Sequence, residues 1–301
     1  MAPPTLATSL APHPARRITG GREIGRLNQY RCIESWRASG FHVFSVNAAD
    51  EADAVRTAYP DVPVIVAERD ARGLCGRPLI PVSEMIRALQ GAGVTWGGIA
   101  SADVRVADPG LLRHVAAEGR NGDVAVFLNR TNVAHPCDKA GEPDPSGPSA
   151  VLFDVGRSAA LDFEPFALGL PGWGRAVAMT LLLAGSQAYC PVGALLRHLD
   201  HPKLWGEDVH QRFFSAFRTR FSPELGALQR TEGADALPSL AAVADLGRHA
   251  EVYAGLADRR AGETGLAESA RRHRSAYTAA IADLIQELAT PAPRPGISGR
   301  P

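Results

Sequence analysis

The run Gly98-Ile99-Ala100-Ser101-Ala102-Asp103-Val104 holds the residues best placed for chemistry: an apolar, β-prone stretch ending in a hydroxyl, a spacer and a carboxylate. A carboxylate at the mouth of a buried parallel strand can hold a hard divalent cation against a diphosphate, because such ions take oxygen ligands. An Asp after a strand also serves as the N-cap of a following helix, so two uses of Asp103 compete. Thr8 and Ser9 close one other β-prone run and Asn47 closes a second. If the three runs are parallel strands, all four residues stand at the sheet's carboxyl edge, where ligands of open α/β sheets bind.

A second group of candidates comes late in the chain. His198, His201 and His210 follow a buried helical stretch, with His198 and His201 spaced to share a helix face that Pro202 would end. Capping and surface roles compete there with a ligand role. Glu207 and Asp208 open the next helix, where the helix dipole favours acidic residues whatever their function.

The elements that must position these residues read as alternating strands and helices. Strand patterns cover Thr5–Leu10, Phe41–Asn47, Val62–Ala67, Trp96–Ala100 and Asp123–Leu128. Between them lie helical patterns over Arg22–Ser39, Asp50–Tyr59, Pro78–Leu89 and Pro109–Glu118. Single helices between strands imply right-handed crossovers and a mostly parallel sheet. Asn129–Gly147, rich in Pro, Gly and Asp, is expected to be a long binding loop or lid, with a disordered surface excursion as the alternative. A strand over Ala150–Val155 and a buried helix over Arg175–Ala184 follow. Two apolar stripes, Leu237 to Leu256 and Leu266 to Leu288, predict an antiparallel helical pair that packs on the core or on a second copy of the chain. The domain reading is therefore 1–230 for the α/β unit, 231–290 for a helical hairpin and 291–301 for a disordered Pro/Gly-rich tail.

Composition narrows the function classes. The 301 residues carry 32 basic and 32 acidic side chains, so no global field draws nucleic acid or an anionic membrane. No apolar run approaches the ~20 residues that span a bilayer, and Met1-Ala2-Pro3-Pro4 does not open a signal peptide, so the sequence reads as cytoplasmic. The four cysteines form no CxxC pair, which argues against a zinc site or a disulfide framework. Gly20-Gly21-Arg22-Glu23-Ile24-Gly25 has neither the spacing nor the preceding strand of a dinucleotide fingerprint.

Several pieces, taken in order, resemble a known family. They are Cys32 to Asn47, Tyr59-Pro60-Asp61-Val62, Arg69 to Pro78, Gly98 to Val104, Val151-Leu152-Phe153-Asp154-Val155 and Phe166 to Trp173. Over roughly residues 5 to 215 the chain is similar to bacterial GT-A-like glycosyltransferases of the nucleotide-diphospho-sugar transferase superfamily. The resemblance implies a Rossmann-like sheet, a nucleotide-sugar donor, an acceptor of unspecified kind, and a DxD-type motif holding Mn2+ or Mg2+. On that basis Asp103 is the metal ligand, with His198 a further one. Thr8, Ser9, Asn47 and Ser101 line the nucleotide site, and Arg77 offsets phosphate charge. Asp154, Glu207 and Asp208 are the candidate bases. Two departures stand out. Ser101 replaces the first acid of the motif, and Pro171-Gly172-Trp173-Gly174 lacks the aspartate of the family's Pro-Trp-Trp-Asp. A protein of the same fold that binds sugar nucleotides or glycans without turnover is the alternative. A nucleotidyltransferase is disfavoured, because no lysine follows the early glycines.

Overall fold

The structure, a computed structural model, describes residues 3–14, 21, 23–191, 195–201, 205–232, 237–259 and 264–289. The tail expected from 291 onward lies outside these residues, as does Pro202, which was expected to end a helix.

In chain order the first half runs β1 (Thr5–Thr8), α1 (Gly25–Ala38), β2 (His42–Asn47), α2 (Ala49–Ala58), β3 (Val64–Val66), α3 (Arg72–Cys75), α4 (Val82–Gly91) and β4 (Trp96–Ala100). Then come β5 (Val104–Val106), α5 (Pro109–Gly122), β6 (Ala125–Leu128), β7 (Arg130–Val133), β8 (Glu142–Pro143), β9 (Ala150–Asp154) and α6 (Val155–Ser158). The rest is α7 (Trp173–Leu183), β10 (Ala188–Tyr189), β11 (Leu196–Leu199), α8 (Glu207–Glu232), α9 (Pro238–Arg259) and α10 (Thr264–Ala289).

Seven strands form the main sheet in the order β10-β6-β9-β4-β1-β2-β3. Only β9 runs against the others, pairing antiparallel with both β4 and β6. The sheet is thus mostly parallel and flanked by helices. Gly97 and Gly98 let its centre close: a Cβ on Gly97 would lie 2.4 Å from the Thr5 carbonyl oxygen, and one on Gly98 2.3 Å from that of Val151. Both obstacles are backbone, which cannot swing aside.

Apolar faces decide how the layers stack. Val82, Met85, Ile86 and Leu89 line the buried side of α4, and they share one core with α7 and with Phe217, Leu240, Ile281 and Leu284 of the C-terminal helices. Leu237, Leu240 and Leu246 of the first stripe and Tyr277, Ile281, Leu284 and Leu288 of the second face this chain's own core, whereas Leu256 and Leu266 lie half-buried outside it and Val252 is exposed. The opposite face of the sheet packs on Trp36 of α1 and on Leu112 and Val115 of α5.

The stretch expected as an open loop over 129–147 contains β7 and β8. They join β5 and β11 in a second, four-stranded sheet of order β5-β11-β7-β8. Its pairing partner β11 lies more than sixty residues downstream, so no local pattern announces it. Val104, Val106 and Leu196 sink this small sheet into the same core as Trp36.

Candidate metal centre

Asp103 sits between the two sheets, three residues past the end of β4 and one before β5. It does not cap a helix. That task for α5 falls to Asp108, whose Oδ1 accepts from the Leu111 N–H at 2.9 Å. The Asp103 Oδ2 instead lies 3.3 Å from Nε2 of His198 and 3.9 Å from Nε2 of His201. One ligand atom from each of the three residues falls within 4.8 Å of the others. His198 and His201 do not share a helix face. His198 is on β11, paired in register with Val104, and His201 follows two residues after that strand ends.

The proton inventory of this cluster is informative. Nδ1 of His198 is 3.0 Å from Oδ1 of Asn132, its register partner on β7. An amide oxygen only accepts, so the contact is a hydrogen bond in the tautomer that carries its proton on Nδ1. In the neutral ring Nε2 is then a bare lone pair aimed at a carboxylate oxygen, and the two repel unless something positive lies between. A second proton on His198 would satisfy one contact. A cation would satisfy Asp103, His198 and His201 together. Donors that bind one ion at about 2.0–2.4 Å stand about 3–4.5 Å apart, so the separations fit a shared ion. Exposure supports this: the side chains are 24% (Asp103), 5% (His198) and 16% (His201) accessible, enough to admit an ion at an otherwise enclosed place.

Other residues expected at the site are placed differently. Thr8 reaches the carboxyl edge, but it is buried and its hydroxyl donates to the Ala100 carbonyl at 2.8 Å, tying β1 to β4. Asn47 is fully buried and its amide is committed. Its Oδ1 accepts from the Ser45 hydroxyl (2.6 Å) and its Nδ2 donates to the Leu10 carbonyl (2.8 Å). With the Leu10 N–H donating to Ser45 Oγ, this ring of bonds pins the chain just past β1, so Asn47 shapes the edge rather than presenting a ligand group. Ser9 is half-buried at the same edge, and Ser101 is half-buried with its N–H donating to the Ser149 carbonyl. Arg77 is exposed and places its guanidinium 4.7 Å from the centre of the Trp205 ring.

The candidate bases do not join the cluster. Asp154 pairs in register with Trp96, the first residue of β4, and so lies at the opposite edge of the sheet from Asp103. There its carboxylate caps α6, accepting from the Arg157 N–H at 2.7 Å. Glu207 is held by Arg274 of α10 at 2.5 Å, and Asp208 is exposed in the first turn of α8.

A charged group that the sequence did not single out lies past the ends of β2 and β3. Arg72 bridges Asp50 and Asp70, both at 2.6 Å. The Arg72 hydrogen bond holds the Asp50 carboxyl below its ordinary value. Burial, and then the Asp50 charge, push Glu51 above its own.

No protein-family model and no curated protein matches this chain. Solved structures similar to it include a protein provisionally described as a nucleotide-diphospho-sugar transferase from Desulfovibrio desulfuricans G20, at 11% identity and a TM-score of 0.42 over 92% of this chain and 99% of that one. A mannose-1-phosphate geranyltransferase from Thermus thermophilus is 13% identical, with a TM-score of 0.35 over 62% of this chain and 66% of that one. HddC from Yersinia pseudotuberculosis, complexed with GMP-PN, is 8% identical, with a TM-score of 0.32 over 52% of this chain and 79% of that one. Among the described residues no helix is long and apolar enough to cross a membrane.

Proposed function

We propose that this protein is a metal-assisted glycosyltransferase that takes a nucleotide-diphosphate sugar as donor. The observation that carries the reading is the convergence of Asp103, His198 and His201 at the carboxyl edge of a mostly parallel sheet, with the Asn132 amide oxygen 3.0 Å from Nδ1 of His198 on the far side of the ring. The three residues suit a divalent cation, which when bound would act as a Lewis acid for the charge that develops on a leaving diphosphate. Ser9 and Ser101, half-buried at the same edge, are the hydroxyls available to the nucleotide. Thr8 and Asn47 hold that edge in shape.

One observation favours the second reading, a protein that binds sugar nucleotides without turning them over. An inverting transfer needs a base within hydrogen-bond reach of the acceptor hydroxyl, and none of Asp154, Glu207 and Asp208 belongs to the cluster. Thermal-shift measurements with nucleoside diphosphates, with and without Mn2+, test what the two readings share. One diphosphate is expected to raise the melting temperature only in the presence of metal, and Asp103→Asn is expected to abolish the effect. Metal-dependent stabilisation that persists in Asp103→Asn would refute the ligand role. Release of free nucleoside diphosphate from a donor sugar then separates the transferase from the binding protein.

A further inference from the structure

The small sheet carries a second feature, on the face away from His198. Arg105 on β5 and Arg197 on β11 are Cα partners in an antiparallel pair, and Arg197 is in turn the register partner of Thr131 on β7. Register partners point to the same side of a sheet, so two guanidinium groups and a hydroxyl form one row across three strands. Neighbouring strands are about 4.8 Å apart, so the row spans about 10 Å. All three residues are half-buried. Among the described residues no hydrogen bond, ion pair or ring contact engages any of the three side chains.

This arrangement is costly as it stands. Like charges directly opposite one another destabilise a strand pair, and no carboxylate among the described residues pairs with either guanidinium. Elsewhere the chain pairs such groups: Arg130, on the same sheet, has Asp144 at 2.5 Å. A pair of guanidinium forks flanked by a hydroxyl matches the oxygens of a phosphate group, which accepts bidentate donation from each fork.

We propose that Arg105, Arg197 and Thr131 form a phosphate clamp that holds a phosphate-bearing acceptor. The assignment to the acceptor rests on the transferase reading above, whereas the phosphate binding itself does not. Arg197 adjoins the ligand His198, and Arg105 comes two residues after Asp103. Because β5 is the edge strand of the small sheet and Asp103 directly precedes it, an extended acceptor anchored on the arginine face passes round the strand end toward the cation.

The test is phosphate binding in the presence of a chelator, so that the metal cluster contributes nothing. Inorganic phosphate and glycerol 3-phosphate are titrated against chloride at equal ionic strength, with the full-length chain and with an Arg105→Gln, Arg197→Gln double variant. Both probes are expected to bind the wild type, and the double variant is expected to bind about tenfold or more weakly while melting no lower than wild type at low salt, since the repulsion is relieved. Asp103→Asn is expected to keep phosphate binding, which separates this proposal from the metal reading. Phosphatidic acid vesicles, compared with phosphatidylcholine vesicles, identify the source. Co-sedimentation that needs both arginines means a lipid-borne phosphate, and soluble binding alone means a soluble phosphoester. Phosphate binding no stronger than chloride, or unchanged in the double variant, would overturn the clamp and leave the metal cluster standing.

Discussion

Asn132 and His198 face each other across the parallel pair β7–β11, with 3.0 Å between the amide oxygen and Nδ1 of the ring. A ring that donates to Asn132 through Nδ1 keeps Nε2 as the donor to a cation, which is the role outer partners play for metal-ligating histidines. Replacing Asn132 with Leu removes the acceptor and frees the ring to place its proton on Nε2. We expect Mn2+ affinity, measured by calorimetric titration, to fall about 10- to 100-fold. Asn132→Asp, which keeps an acceptor at the same place, is expected to recover most of it. Equal affinity in the Leu variant would show that Asn132 does not set the ring.

The donor set also predicts which cation binds. Two imidazoles and one carboxylate suit first-row transition ions better than Mg2+, which prefers oxygen ligands and retains its water. The family resemblance, with Asp103 and His198 as ligands, leaves Mn2+ and Mg2+ level. With His198 and His201 both at Asp103, Mn2+ is expected to bind about tenfold or more tightly than Mg2+. His201→Asp should narrow that gap. Acidification should weaken binding, because a protonated imidazole cannot donate to a metal. Competition titrations at neutral and acidic pH measure both effects, and a site preferring Mg2+ would contradict the argument.

The segment that carries Asn132 depends on a second pair. Burial works to raise the Asp144 carboxyl, but the Arg130 charge and the hydrogen bonds from Ser146 outweigh it and hold the group below its usual value. A carboxyl whose pKa is lowered on folding adds stability above its unfolded value, about 3.9. That contribution disappears as pH falls through the lower folded value. Asp144→Asn is expected to cost roughly 1.5–3 kcal/mol at neutral pH, with the difference from wild type shrinking in strong acid. Urea titrations at the two pH values read it directly, and equal stability at neutral pH would refute it.

What the sequence made legible follows from which interactions are local. Strands β1, β2, β4 and β6 and their intervening helices each announce themselves in one apolar run, so Asp103 could be placed at a strand mouth. Strand direction is not written locally. Asp154 ends an apolar strand as Asp103 nearly does, yet β9 runs antiparallel and delivers it to the opposite edge. The small sheet was invisible for a related reason: β7 and β8 lie in a Pro/Gly/Asp-rich stretch, and β7 gains its pairing from β11, far along the chain. His198 was therefore a residue of interest without its strand, and Asn132 carried no signal at all. Asn47 shows the converse. A polar residue at a strand end looks like a ligand until its amide is found bonded to Leu10 and Ser45.

Helix α1 holds the strand that directly follows Asp103. As an edge strand, β5 has β11 on one side only, so part of its backbone needs partners from elsewhere. The Trp36 indole N–H donates to the Val104 carbonyl at 3.1 Å, and the Ser35 hydroxyl oxygen accepts from the Val106 N–H at 2.9 Å. These bonds grip both ends of β5, immediately after the carboxylate. Ser35→Ala leaves the Val106 N–H without its acceptor, at a cost of about 1–3 kcal/mol, and hydrogen exchange at Val106 should quicken. Trp36→Phe keeps most of the apolar packing and loses only the indole bond, so its cost should lie near 1 kcal/mol. If α1 positions the ligand rather than merely stabilising the fold, both variants should weaken Mn2+ binding while Asp108→Ala, which uncaps α5 instead, should not. Equal loss of metal affinity in all three would mean that β5 transmits nothing specific from α1 to Asp103.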